Sequence, residues 1–140
     1  MAFTNIRAYF RQRMNALGHK EWTDGFNIEN VPDTIFDRAY HIESGLFSGN
    51  DQNQTVLDAS SSHTIRLFLK GFRDPANAID QGIQYAQSAV CDIISPVNAN
   101  GLNLKDVNLE SFQVLPYHES NDNSVIVEMN FTVRIFLNTV

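Results

Sequence analysis

The stretch VIVEMNFTVRIFL, residues 125–137, decides the fold of this chain. All of its odd-numbered positions are apolar, and four of its six even-numbered positions are polar or charged. A period of two predicts an extended strand with one buried face and one wet face. A strand of 13 residues is longer than usual, and a wet face does not fit a parallel sheet covered by helices. The stretch therefore predicts a broad antiparallel sheet.

Five further segments with helix or strand patterns precede this strand. Apolar residues at spacings of three and four predict a first helix that stops at Gly18. Asp74 and Pro75 predict the start of a second, because the carboxylate caps free N–H groups and proline loses no hydrogen bond there. In order, we predict a helix over 3–17, strands over 34–43 and 64–72, a helix over 75–94, and strands over 109–117 and 125–137.

These elements predict an α+β fold in one domain, residues 1–140. The predicted order is α-β-β-α-β-β, with a mainly antiparallel four-stranded sheet and the helices packed on one of its faces. The second helix should bury an apolar stripe, and Gly82 should let that helix approach the sheet closely. Cys91 is expected to be a small buried hydrophobe. The predicted stripe consists of Ala76, Ile79, Ile83, Ala86, Val90 and Ile93.

The segment Ser44–Ser62 is rich in serine, glycine, asparagine and glutamine. This composition predicts a long polar loop between the first two strands. The loop is longer than a connection between two strands of a domain requires. Two interpretations stay open, an arm that orders against a partner and a flexible insertion.

Charge is distributed unevenly along the chain, which has a formal net charge of −6. Arg7, Arg11, Arg13 and Lys20 give the first 20 residues four bases and no acid, and the remainder holds 6 bases against 16 acids. An acidic body repels nucleic acid, whose binding depends on lysine and arginine. The arginines of the first helix form either its solvated face or a contact with an acidic neighbouring subunit. A membrane or transit-peptide role is the third alternative.

The common signatures of nucleotide, hydrolase and metal sites are missing from the sequence. The four histidines lack ligand spacing, and candidate carboxylate pairs such as Asp37 with Glu43 lie in segments expected to be wet. We therefore expect no catalytic residue, no cofactor and no metal. No apolar run reaches the roughly 18 residues of a membrane span, so the chain is expected to be soluble, without a classical export signal.

Aromatic residues are the other candidates for interaction surfaces. Phe68, Phe72 and Phe136 lie on strand faces that are otherwise polar, and they either seal a second layer within the monomer or contact another subunit. Tyr117 is an interface residue or packs within the chain. On the first helix, Tyr9 is expected at the rim of the core.

The order of elements and several segments resemble one family of phage proteins. These segments are the N-terminal helix, PDTIFDRAYHIESG, RLFLKGFRDPANAIDQGIQYAQ and NDNSVIVEMNFTVRIFL. Together they resemble the tail terminators, or tail completion proteins, of long-tailed bacteriophages.

The resemblance implies a structural virion protein, assembled in the host cytoplasm, that forms a homohexameric ring at the head-proximal end of the tail. Such a ring stops polymerisation of the tail tube protein and offers an interface to the head-completion or neck protein, while DNA passes through the lumen without specific binding. No membrane is involved. By position, we expect subunit or partner contacts at Arg7, Arg11, Arg13, Leu46, Phe47, Asp51, Val56, Leu57, Phe72 and Tyr117.

Two other functions fit the same pattern of elements. One is a head-completion or connector ring, which would contact the portal side. The other is a small α+β enzyme or ligand-binding domain with a pocket between its strands.

Overall fold

The structure, a computed structural model, describes residues 3–52, 56–100, 106–117 and 123–138. It confirms the α+β class and the two main helices. The elements are α1 (Phe3–Ala16), β1 (Lys20–Glu21), β2 (Ala39–Gln52), β3 (Val56–Phe72), α2 (Pro75–Ile94), α3 (Pro96–Asn100), β4 (Asp106–Tyr117) and β5 (Asn123–Asn138).

The sheet has five strands in the order β1-β2-β3-β5-β4. Each neighbouring pair among β2, β3, β5 and β4 is antiparallel, as expected for the four predicted strands. The two-residue strand β1 was not predicted, and its parallel pairing with Ala39 and Tyr40 makes the sheet mixed. A strand this short carries no periodic pattern that the sequence could reveal.

Strand β5 lies between β3 and β4 and fills the centre of the core. Its odd-numbered side chains are buried from Val125 to Ile135, which confirms the alternation seen in the sequence. On the opposite face Ile126 is buried as well, while Phe136 is 47% exposed. The helix side of β5 is therefore apolar from Val125 to Ile135, and its other side is apolar only near its two ends.

The predicted loop Ser44–Ser62 is wrong for most of its length. β2 continues to Gln52 and β3 begins at Val56, so strands replace the loop except at 53–55, which lie outside the described residues. Ala59, Ser61 and His63 are buried, and β3 pairs here with the last half of β5. Serine-rich composition indicates loops only by correlation, and pairing on both sides satisfies the backbone of a polar strand.

The first helix covers the side of the sheet formed by β2 and β3. Ile6, Phe10 and Met14 are fully buried, at the spacing that the sequence predicts. The expected rim position of Tyr9 is wrong, because this side chain is 2% exposed. Its hydroxyl donates a hydrogen bond of 2.5 Å to the carbonyl of Ile93, near the end of α2. This bond satisfies a carbonyl near the C-terminus of α2.

The second helix begins as predicted. The Asp74 carboxylate accepts a hydrogen bond of 2.7 Å from the backbone N–H of Asn77. The predicted buried stripe is only partly correct, because Ile83 is 42% exposed and small residues face the sheet instead. Cys91 is exposed, so its predicted burial is wrong. The buried residues of α2 are Ala78, Gly82, Ala86, Ala89, Val90 and Ile93.

A second apolar cluster lies on the other face of the sheet, at the end where β2 begins. Phe26 and Ile35, from the segment between β1 and β2, pack against Phe68 and Ile126. Phe68 therefore seals a second layer within the chain, which confirms for this residue the first of the two interpretations given above. Phe72 packs against the core on the helix side. Among the described residues, no helix combines the length and apolar character that crossing a membrane requires.

Candidate interaction surfaces

An exposed apolar surface lies along the β4 edge of the molecule. Ile83, Ile94 and Phe112 are 42%, 39% and 40% exposed, respectively. We call these three residues the β4 flank. Phe112 lies on the helix side of the edge strand, since it is paired with the buried Met129. Val97 of α3 is more exposed still, at 84%.

The geometry of α2 places Ile83 and Ile94 on the same side as β4. Both lie two positions, about 200° around the helix, from Tyr85 and Asp92. Tyr85 and Asp92 face α1 and the start of β2: the Arg38 guanidinium lies 5.0 Å from the Tyr85 ring, and Asp92 pairs with Arg13 at 2.5 Å. The two isoleucines therefore point away from α1.

The opposite edge of the sheet carries a second exposed surface. Phe47 of β2 is 48% exposed on the helix side, where it is paired with the buried Ser61. Beside it, Nη1 of Arg7 donates a hydrogen bond of 2.8 Å to the hydroxyl of Ser44. We call Arg7, Phe47 and the outer edge of β2 from Ile42 onward the β2 flank. Strand β1 pairs with Ala39 and Tyr40 and leaves this edge uncovered within the described part of the chain.

A buried histidine, His63 of β3, lies directly behind the β2 flank. Its Nδ1 is 2.8 Å from the Ser44 hydroxyl, and its Nε2 is 2.7 Å from the Ser61 hydroxyl. Burial, and then the nearby Arg7 charge, lower the pKa of His63 to about 4. A serine next to a neutral histidine has the chemistry of a nucleophile and its base. Ser61 is only 1% exposed, however, so a substrate could not reach it, and the bond from His63 to Ser44 joins β3 to β2.

A second buried histidine, His19, joins the end of α1 to α2. Nε of Arg38 donates to Nδ1 of His19 at 3.2 Å, and its Nη2 donates to the carbonyl of Leu17 at 2.6 Å. Arg38 has a φ of 65°, a left-handed conformation that is uncommon outside glycine. Burial, followed by the Arg38 charge, lowers the pKa of His19 to about 4. The strained arginine thus caps α1 and keeps this histidine neutral.

The face of the sheet away from the helices carries, outside the cluster around Phe68, polar side chains that bond across strands. We call this part the uncovered face. Arg66 of β3 donates to Glu43 of β2 at 2.5 Å and to Glu128 of β5 at 3.0 Å. The hydrogen bond from Arg66 lowers the pKa of Glu43. Thr64 and Asn130 form a parallel link at 2.7 Å. The Glu43 and Glu128 carboxylates each lie beside the Arg66 guanidinium, and the hydrogen bond from Arg66 favours the ionised form of Glu43.

A depression of about 210 Å³ on the described surface is lined by Gln81, Gln84, Tyr85 and Ser88. Another has a volume of about 80 Å³ and is lined by Pro75, Ala78, Ile79, Pro116, Tyr117, Asn123, Ser124 and Val125. None of these lining side chains is a carboxylate, a histidine or a cysteine. In the described ranges, no three histidine, cysteine or acidic side chains are placed to hold a metal ion.

The residues expected at interfaces are scattered over the molecule. Arg11 pairs with Glu21 at 2.9 Å and Arg13 with Asp92, so both arginines are bonded within the chain. Tyr117 lies at the opposite end of β4 from Asp106, with its ring 6.1 Å from that of Phe68. Only Arg7 and Phe47 come together at one edge. Leu46, Asp51, Val56 and Leu57 have backbone positions in β2 and β3, but their side chains lie outside the described residues.

The β4 flank was missed by the sequence reasoning. Ile83 was assigned to the buried stripe of α2, and Phe112 and Ile94 were not singled out. The signal was present as small residues at positions 78, 82, 86 and 89, which mark the face that approaches the sheet. Once these residues face inward, Ile83 and Ile94 must face outward.

Comparison of the chain with protein-family models and with curated proteins gave no match in either case.

Proposed function

We propose that this chain is a structural subunit of a virion ring, of the tail-terminator type. The observation that supports this proposal is the pair of unlike exposed surfaces at opposite edges of one sheet. The β4 flank is apolar, with 39–42% exposure of three large side chains. The β2 flank combines an exposed phenylalanine with Arg7. A group of exposed large apolar side chains such as the β4 flank often marks a site of interaction with another protein.

Unlike surfaces at opposite edges favour a ring over a two-fold dimer. A two-fold contact uses the same patch on both partners, whereas a head-to-tail contact joins two different patches and closes when the rotation allows. Burying the β4 flank of one copy against the β2 flank of the next would leave no flank exposed. Arg7 is a cation on the β2 flank of a chain whose formal net charge is −6, which is compatible with this contact.

The position of the ring and its partners rest on the family resemblance. As a terminator, the ring would have six copies, cap the tail tube at its head-proximal end, and present its other side to the head-completion or neck protein. The formal net charge of −6 per chain fits a lumen through which DNA slides, because attraction would hold the DNA in place. In this function the chain acts by assembly and performs no turnover.

Native mass spectrometry tests the proposal on the purified chain. We expect a particle of six 15.8-kDa chains, which dissociates on dilution into monomers. A second measurement, thermal unfolding with a panel of metabolites, addresses the ligand-binding alternative. A chain that stays monomeric at all concentrations and melts at a higher temperature with a metabolite would contradict the ring and favour a ligand-binding domain.

A further inference from the structure

We propose that the sheets of neighbouring copies join into one continuous sheet, with β4 of one copy paired antiparallel to β2 of the next. This inference rests on the proposed ring and names the contact that closes it. The partner is therefore a second copy of this chain, bound by backbone hydrogen bonds at two strand edges.

Both edges are open in the described part of the chain. β4 pairs with β5 alone, and β2 pairs with β3 along its length and with β1 only at Ala39 and Tyr40. The backbone of an edge strand presents unpaired N–H and C=O groups to any strand that can reach it. Trp22 still contacts His41, so the open stretch of β2 runs from Ile42 to Gln52 and is nearly as long as β4.

The strand directions fit this junction. β2, β3, β5 and β4 alternate in direction across the sheet. Because the number of alternating strands is even, a copy placed beside another with its helices on the same side brings β4 next to β2 in the antiparallel sense. The junction thus continues the existing pattern without a break.

Exposed aromatic residues indicate the register of the junction. Phe47 and Phe112 both lie on the helix side of their strands, paired with Ser61 and Met129 respectively. Placing Phe112 opposite Phe47 buries both rings, with the β4 flank of one copy extending over the junction. In the antiparallel sense, the same register places Ser111 opposite Ser48 on the uncovered face.

The composition of the two edge strands favours pairing. Neither β2 nor β4 contains a lysine or an arginine, and Pro116 lies at the end of β4. Lysine, proline, other charged side chains and β-bulges are the devices that natural proteins use against edge pairing. Both strands do contain bulges, between Ser44 and Phe47, between Gly49 and Asp51, and between Leu109 and Ser111. In the register that pairs Phe112 with Phe47, the pairs Phe47 with Phe112 and Ser48 with Ser111 lie outside these bulges, and they form the regular part of the junction.

A continuous sheet assigns each face of the chain to one side of the ring. The helices occupy one face of the sheet. They fit on the outside of the ring, where the circumference is larger. The polar face then lines the channel, with Arg66 bonded to Glu43 and Glu128. Compensated charges of this kind give passing DNA no cluster of free cations to bind.

Disulfide trapping tests the register. In a Cys91→Ser background, which removes the exposed natural thiol, Ser48→Cys and Ser111→Cys are combined in one chain. Mild oxidation of assembled protein should give a ladder of covalent products from dimer to the full ring. The matched control combines Ser111→Cys with Ser88→Cys, which is exposed on α2, and should give no ladder.

Amide hydrogen exchange tests the pairing without any substitution. Amides in 42–49 and 111–115 should exchange at least tenfold more slowly in assembled than in diluted protein. A ring by native mass that shows neither the ladder nor this protection would overturn the edge pairing and leave the proposed function standing. A chain that is monomeric at every concentration would overturn both.

Discussion

At the scale of single residues, the fold depends on two histidines that are buried in the neutral form. His63 is 1% exposed and bonds to Ser44 and Ser61, while Phe10 and Phe47 pack against its ring. Arg7 is the charged group nearest to it that affects its pKa. His19 is 4% exposed and accepts a hydrogen bond from Arg38. Burial disfavours a positive charge on both rings and lowers the pKa of each.

These histidines predict a loss of stability in mild acid. The pKa of each falls to about 4 in the folded chain, against an ordinary value of 6.5. The unfolded chain therefore binds more protons between pH 6.5 and pH 4, so the stabilisation is complete above pH 6.5 and is lost as the pH falls toward 4. We expect each histidine to contribute about 1–3 kcal/mol to this loss.

Urea unfolding at pH 7.5 and pH 5.0 measures the effect. His63→Gln keeps hydrogen-bonding groups but cannot titrate, so its free energy of unfolding should fall less between the two pH values than that of the wild type. The quantity compared is the slope, that is, the change in the free energy of unfolding between pH 7.5 and pH 5.0. This change stays meaningful even if the variant is less stable at both pH values. Equal slopes for variant and wild type would show that His63 does not cause the acid sensitivity.

At the scale of elements, the sequence predicts those whose apolar pattern is strong. The alternation in 125–137 and the apolar spacing in α1 both give the correct element and the correct buried face. Residues 44–62 fail because their strands are polar, and no periodic pattern of apolar residues distinguishes them from a loop. β1 fails because two residues cannot show a period.

The two candidate surfaces, the β2 flank and the β4 flank, also differ in how far the sequence predicts them. Arg7 and Phe47 could be predicted, since each is a charged or aromatic residue in a segment expected to be exposed. The β4 flank is only weakly indicated, because Ile83 fits a helical stripe at several rotations of α2, and the small residues at positions 78, 82, 86 and 89 favour one of these rotations without fixing it. The packing of Gly82 against Val114 selects one of these rotations, and that contact is a tertiary property.

The close approach of α2 to β4 predicts an unusual effect of a helix substitution. Glycine to alanine inside a helix ordinarily stabilises a protein by up to about 1 kcal/mol. In Gly82→Ala, however, the new Cβ would meet Cγ1 of Val114 at 2.8 Å. We expect a net destabilisation of about 1–3 kcal/mol, measured by urea unfolding.

The double variant Gly82→Ala with Val114→Ala is the matched control. Removing the Val114 methyl groups makes room for the new Cβ, so the double variant should be less destabilised than the sum of the two single variants. Additive effects would mean that α2 and β4 are not in contact at this point.

At the scale of the whole molecule, the chain has two unlike flanks and a sheet with one polar face. Arg7 is the cation of the β2 flank, whereas Arg11 and Arg13 are paired within the chain. Arg7→Glu should weaken self-association about three- to tenfold, and more at low salt than at high salt. Analytical ultracentrifugation at two salt concentrations measures this change. Arg73→Glu, at a side chain that is 86% exposed and belongs to neither flank, is the control and should leave association unchanged.

Mixing two blocked variants tests the head-to-tail ring most directly. The first carries Ile94→Glu and Phe112→Glu on the β4 flank, and the second carries Arg7→Glu and Phe47→Glu on the β2 flank. By native mass spectrometry each alone should be a monomer, and an equimolar mixture should form a dimer of one chain of each kind, because one intact flank remains on each. Rings from either variant alone, or a mixture that stays monomeric when the wild type assembles, would contradict the account.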